Sequence, residues 1–234
     1  MIKLTPILLI ILYAVAMWLF SAWRLKQQLN ANSTPLDDKR LRGALERLGA
    51  AMGLERVRAH VYEIAPVNGL AAPDGRVFLT RGFLDQFDAG RITEAELASV
   101  IAHELGHVTH GHARRRMMDF AGQNLVRTVL AGTFGRFVPI VGPWLASLVA
   151  SALAARLSRE DEYQADAFAA ALMVKAGFGT GPQKALLARL DKLTGATGRP
   201  VAWLASHPDI PRRIAAIEAL ERRWGLAGPA DPTG

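Results

Sequence analysis

Two histidines four residues apart, His103 and His107, sit in a stretch whose apolar residues Leu97, Val100, Ile101, Leu105 and Val108 recur every three or four positions. That period marks one buried helix face. Whatever else the chain folds into, it must hold a helix there and carry both imidazoles on the same side of it. The start of this helix is written in Thr93-Glu-Ala-Glu96, where the threonine hydroxyl can accept a backbone N–H and the glutamate can reach back, the reciprocal capping box. Arg114, Arg115 and Arg116 are placed to close it, because cations are favoured at the negative end of a helix dipole.

Two imidazoles at this spacing can reach one ion. Glu104 follows His103 by one residue and points about 100° round the helix, where it can stand beside a water activated by that ion. The chain has no cysteine, which excludes thiolate ligands, disulfides and a cysteine nucleophile together, so a metal must be held by histidine and carboxylate. Catalytic zinc takes three protein ligands and keeps one position for water. His110 is a poor third, since a rise of about 1.5 Å per residue sets it about 10 Å along the axis from His103. The metzincin pattern, which needs a histidine six residues after the second ligand, meets Ala113 instead. Ser158-Arg-Glu-Asp-Glu-Tyr-Gln-Ala-Asp166 is the better source. Glu162 and Asp166 lie four apart on one helix face, so Glu162 is predicted as the third ligand. Asp166 is predicted to accept the spare N–H of a ligand histidine and fix its tautomer. His110 and His112 are read as helix-end residues, and His60 as a strand-surface or packing residue. One zinc ion is the expected cofactor.

Elsewhere the pattern is that of a tethered domain. A membrane-crossing helix needs about 20 apolar residues, which the uncharged run from Leu4 to Trp23 supplies between Lys3 and Arg24. It is expected to be retained as a single-pass anchor, because small residues at a signal-cleavage spacing come only after the positive charges Arg24 and Lys26. Those charges, with Lys39, Arg40 and Arg42, place the body on the cytoplasmic face. The net charge of +7 suits an anionic lipid surface, and no interleaving of aromatic and basic residues points to nucleic acid. After a turn-like Asn32-Ser-Thr-Pro35, Leu41, Leu45 and Leu48 mark a helix over 37–52. A strand is expected over 57–64, then Asn68 to Ala72, a Pro73-Asp-Gly turn and Val77 to Thr80 as a small antiparallel sheet. The uncharged stretch from Phe137 to Ala155 is nearly long enough to cross a bilayer. A single crossing would put His107 and Glu162 on opposite sides, and Asp119 and Arg127 interrupt the other leg. Residues 117–157 are therefore read as an apolar helical hairpin lying on the domain or at the bilayer surface, with Trp144 near its turn.

With these segments in order, the chain resembles the HtpX-like and CAAX-prenyl-protease-like family of membrane-associated zinc metallopeptidases. The likeness rests on Asn68 to Ala72 with the following hairpin, on His103 to His107, on Glu162-Tyr-Gln-Ala-Asp166, and on the late His207-Pro208 with Arg213-Ile214. The resemblance implies an α+β, mainly helical, zincin-like domain over 36–225, after the anchor at 4–23 and before a tail at 226–234. It implies that His207 steadies the oxyanion, that Arg213 organises the site from behind, and that Asn68, Gly69, Leu70 and Ala71 bind the substrate strand. Taken alone, Ser206-His207-Pro208 reads as a turn into a helix. The expected activity is endopeptidase cleavage of membrane-associated or misfolded polypeptides. The alternatives are an inactive membrane chaperone or scaffold that keeps the zinc fold, and a zinc hydrolase acting on another bond.

Overall fold

The computed structural model describes residues 4–72, 74–112, 141–197 and 202–226; of 141–157, 193–197 and parts of 4–18 it describes the backbone alone. In chain order the elements are α1 Leu4–Ala31, β1 Ser33–Pro35, α2 Lys39–Met52, β2 Ala59–Tyr62, β3 Gly69–Ala71, β4 Val77–Thr80, α3 Arg81–Asp88, α4 Glu94–Thr109, α5 Val141–Lys175, α6 Gly181–Thr197, α7 Ala202–Ser206 and α8 Ile210–Trp224. They fall into two units, residues 1–33 with 113–157, and residues 34–112 with 158–234.

In the second unit α2 begins where the Asp38 side chain accepts from the Arg40 backbone N–H, and ends at Gly53 in the left-handed region. Its Leu41, Leu45 and Leu48 are buried, as the spacing predicts. The sheet differs from expectation. Its order is β1-β2-β4-β3, with β2 parallel to β4 and β3 antiparallel to it, so it is mixed rather than antiparallel. All of Val77, Phe78, Leu79 and Thr80 are buried. A strand apolar on both faces belongs at the centre of a sheet, so β4 inserts between β2 and β3 instead of trailing a meander. Asn32 to Pro35, read as a turn, contributes the short strand β1 next to β2.

The helix α4 starts as predicted. Glu96 N–H donates to Thr93 Oγ1 at 3.2 Å and Thr93 N–H donates to Glu96 Oε2 at 2.7 Å, a cap worth about 1 kcal/mol. Leu97, Val100 and Ile101 are almost fully buried, and each contributes roughly 2 kcal/mol by leaving water. This apolar stripe, far more than the cap, fixes which face the histidines present. The helix stops earlier than its arginines suggest: His110 is the C-cap and Gly111 turns the chain with φ 64. Arg114 to Arg116 lie outside the described residues, as do the Pro73 turn position, the stretch 113–140 with Asp119 and Arg127, and the tail from 227.

Opposite α4 runs the part of α5 from Ser158 onward. A Cβ on Gly106 would lie 2.9 Å from both Cα and O of Ala165, so the two helices touch backbone to backbone at this point, and only glycine permits the approach. That contact sets Glu162 and Asp166, on neighbouring turns of α5, against His103 and His107.

In the first unit the run Leu4 to Trp23 lies within α1. Where its side chains are described, Leu12, Tyr13, Leu19, Phe20 and Trp23 are exposed. Among the described residues no helix is long and apolar enough to cross a membrane.

Candidate metal centre

His103, His107, Glu162 and His207 each direct one ligand atom into a common space, these atoms lying within 4.8 Å of one another, and all four residues are buried. The tightest part is a triangle. His103 Nε2 and His107 Nε2 are 3.1 Å apart, His103 Nε2 is 3.4 Å from Glu162 Oε2, and His107 Nε2 is 3.5 Å from Glu162 Oε1. Zinc bonds to nitrogen and oxygen are about 2.0 to 2.2 Å, so neighbouring ligands of a tetrahedral zinc stand about 3.3 Å apart. The three edges match that figure. Two ring nitrogens and a carboxylate this close need a positive charge between them, and the donor set of two imidazoles and one carboxylate is one zinc favours.

His103 is held from behind. Its Nδ1 donates to Asp166 Oδ1 at 2.9 Å, an acceptor only, which leaves Nε2 as the ring atom that faces the centre. Asp166 in turn receives Arg213 Nε at 2.6 Å and Arg213 Nη2 at 2.8 Å, with Gln183 Nε2 at 3.2 Å. Burial opposes ionisation of Asp166, but the Arg213 guanidinium outweighs it and holds the carboxyl well below the usual range. Glu162 is likewise opposed by burial and held below its ordinary range by His103 and Arg213. Burial also disfavours charge on His103, yet hydrogen bonds to Asp166 and Glu162 push it up to about 9. The pocket is electrostatically prepared for a cation.

His207 follows α7. Its Nδ1 stands 3.9 Å from Glu162 Oε2, its Nε2 3.5 Å from Glu104 Oε1, and its ring centroid 5.0 Å from that of His103. Arg213, on the first turn of α8, donates Nη1 to the His207 carbonyl at 3.0 Å. Asp209 adopts the left-handed conformation, φ 70, which aspartate tolerates better than most residues, and this reverses the chain between the two. One arginine thus ties the loop of His207 to Asp166.

Residues 35–221 match the description "Peptidase family M48". The chain belongs to that family. Metalloprotease YcaL of Escherichia coli (strain K12) is 29% identical over 179 residues, covering 76% of this chain and 68% of that protein. Protease HtpX homolog of Bordetella pertussis (strain Tohama I / ATCC BAA-589 / NCTC 13251) is 29% identical over 208 residues, covering 74% and 68%. Mitochondrial metalloendopeptidase OMA1 of Schizosaccharomyces pombe (strain 972 / ATCC 24843) is 27% identical over 176 residues, covering 74% and 50%. This M48 protein is a zinc metalloendopeptidase, a hydrolase of peptide bonds, and the HtpX-like resemblance drawn from its sequence holds.

Three residues of this M48 site escape the sequence reading. Trp203, buried on α7, donates its indole N–H to Glu104 Oε1 at 3.3 Å, while its backbone N–H donates to Val67 O at 3.1 Å just ahead of β3. Gln183 reaches Asp166 from α6. Read as a helix-end bystander, His112 is instead fully buried, with Nδ1 2.8 Å from His107 Nδ1. Only His112 had a visible signal, because a glycine just past a helix end reverses the chain and returns the next side chain towards the last turn. The expected substrate strand also reaches the centre: a Cβ on Gly69 would meet Glu104 Oε1 at 3.2 Å and Val100 Cγ1 at 3.1 Å.

Proposed function

We propose that this enzyme is anchored to a membrane by α1 and hydrolyses peptide bonds of membrane-associated or misfolded polypeptides, with His103, His107 and Glu162 holding one zinc ion and Glu104 as general base. The observation that carries the reading is the triangle of two imidazoles and a carboxylate, with Glu104 on the same helix turn. Zinc, when bound, supplies Lewis acidity towards the scissile carbonyl and makes a neighbouring water more acidic. Glu104 takes the proton of the attacking water and returns it to the leaving amine. The Trp203 indole N–H orients that carboxylate. His207, steadied through its carbonyl by Arg213, donates to the oxyanion as charge develops, and Asp166 holds the His103 ring in place.

The substrate is proposed to add as an extended strand along β3. Among the described residues β3 has a single strand neighbour and forms one end of the sheet, so its outer edge can take up a peptide through backbone hydrogen bonds. Asn68, Gly69, Leu70 and Ala71 line that edge. Backbone pairing gives grip without strong sequence choice.

Purified Glu104→Gln is expected to keep its zinc and lose at least about a hundredfold in casein cleavage, the loss typical for a general base. Equal cleavage by mutant and wild type removes Glu104 from the mechanism.

The anchor reading is supported by the uncharged run Leu4 to Trp23 and by the exposed apolar side chains along it. The positive charges that follow favour a cytoplasmic body. In this reading the peptidase domain spans 36–225, residues 117–157 form an apolar insertion, and 226–234 a tail. A chain lacking residues 1–33 is expected in the soluble fraction after an alkaline wash. Its persistence in membranes rejects α1 as the sole attachment.

A further inference from the structure

We infer that His112 positions His107, accepting a hydrogen bond from His107 Nδ1 and so fixing the tautomer in which Nε2 faces the metal. The inference rests on His107 being a zinc ligand. The sequence places the residue by a simple device: α4 ends at Thr109, Gly111 turns with φ 64, and the next ring comes back beneath the final helical turn. His112 is fully buried there, its ring centroid 5.0 Å from that of His107.

The contact has a direction that the surrounding residues decide. Two ring nitrogens 2.8 Å apart share one proton as N–H···N. The far nitrogen of His112, Nε2, lies 3.2 Å from Gln164 Oε1 and 3.5 Å from Asp161 Oδ1. A carboxylate only accepts. The orientation of the Gln164 amide is set independently, because its Nε2 donates to Glu160 Oε1 at 3.3 Å, leaving Oε1 towards His112. Among the described residues both neighbours of His112 Nε2 are acceptors, and a ring proton resides on that nitrogen. A neutral imidazole with its proton on Nε2 has a lone pair on Nδ1, so His107 Nδ1 is the donor and His107 Nε2 is left bare, 3.1 Å from His103 Nε2. The chain Gln164, His112, His107 thus sets the tautomer of the second ligand, as Asp166 does for the first. Acceptors of this kind raise the basicity of a ligand imidazole and hold its plane.

The test is the zinc dissociation constant of the full chain in detergent, measured by chelator competition, with the visible spectrum of the cobalt-substituted protein as a report of ligand geometry. His112→Ala is expected to weaken zinc about 10- to 100-fold and to shift the cobalt bands. His112→Asn places an amide oxygen where Nδ1 stood, so it is expected to stay within about threefold of wild type, whereas His112→Gln places its amide further out and should behave like alanine. A wild-type constant and spectrum in the alanine variant overturn the inference, as does an asparagine variant that falls as far as alanine. Should alanine and glutamine variants not fold, nitrogen–nitrogen scalar coupling between the two rings of isotope-labelled zinc-loaded wild type decides: its presence supports the N–H···N bond and its absence overturns it. His107→Ala separates the two levels. If it retains full zinc affinity, the reading of the centre fails; if it loses zinc while His112→Ala does not, only the role of His112 fails.

Discussion

The two histidines of the zinc helix are backed in opposite ways. Behind His103 stands an ion pair, Asp166 clamped by two guanidinium nitrogens of Arg213. Behind His107 stands a second ring, His112, with Gln164 and Asp161 beyond it. Both arrangements present an acceptor to Nδ1, but the carboxylate touches His103 directly and is paired with Arg213, whereas behind His107 the Asp161 carboxylate stands one ring further back, 3.5 Å from His112 Nε2. In the proposed site Glu162 is the one carboxylate among the ligands. A second uncompensated carboxylate would make the metal a weaker Lewis acid towards a carbonyl. The difference teaches that the acceptor behind a histidine can be a carboxylate in direct contact or a ring interposed before one.

The sharpest way to break this asymmetry is Arg213→Met. Among the described residues it leaves the buried Asp166 with only His103 and Gln183 beside it, and breaking such a buried pair costs about 3 to 5 kcal/mol. Denaturant unfolding of the zinc-free protein should show that loss in full; a change below about 1 kcal/mol would mean that Arg213 is not needed to hold the Asp166 charge. Gly106→Ala should act on both flanks at once. The added methyl meets Ala165 backbone at 2.9 Å, so α5 must shift and carry Glu162 and Asp166 with it. Overpacking of this kind costs about 1 to 3 kcal/mol, and zinc content should fall with stability; unchanged metal content would show that the ligands tolerate the displacement. Gln164→Leu is expected to be the mildest. It removes one acceptor from His112 while Asp161 stays, so zinc should weaken by less than about tenfold with unfolding free energy nearly unchanged. A stability loss as large as that of Arg213→Met would erase the distinction between the flanks.

How much of this was legible beforehand follows from the range of each interaction. The capping box, the apolar stripe of α4 and the pair Glu162 and Asp166 are periodic within one helix, so spacing reveals them. Arg213 and His207 were placed only by family resemblance, since nothing local ties residue 213 to residue 166. Trp203 and Gln183 went unread for the same reason: a tryptophan at helical spacing looks like packing, and its indole N–H finds Glu104 only once α7 docks on α4. In the sheet, Val77-Phe-Leu-Thr80 is the arm of a hairpin with β3 that the sequence suggests, and the departure is that its other edge takes β2 in parallel. An unbroken apolar run is the mark of a strand covered on both faces, and that signal was present.

The bare-backbone contact between Gly106 and Ala165 bears on what variation the enzyme can tolerate. It joins the two ligand-bearing segments directly, while the chain between them, residues 113–157, is assigned to the other unit. The chemistry is thereby indexed to one point of mutual registry and not to the length of the connecting chain. A change in the length of the chain between them is therefore expected to leave the hydrolytic residues in register wherever Gly106 and Ala165 still meet.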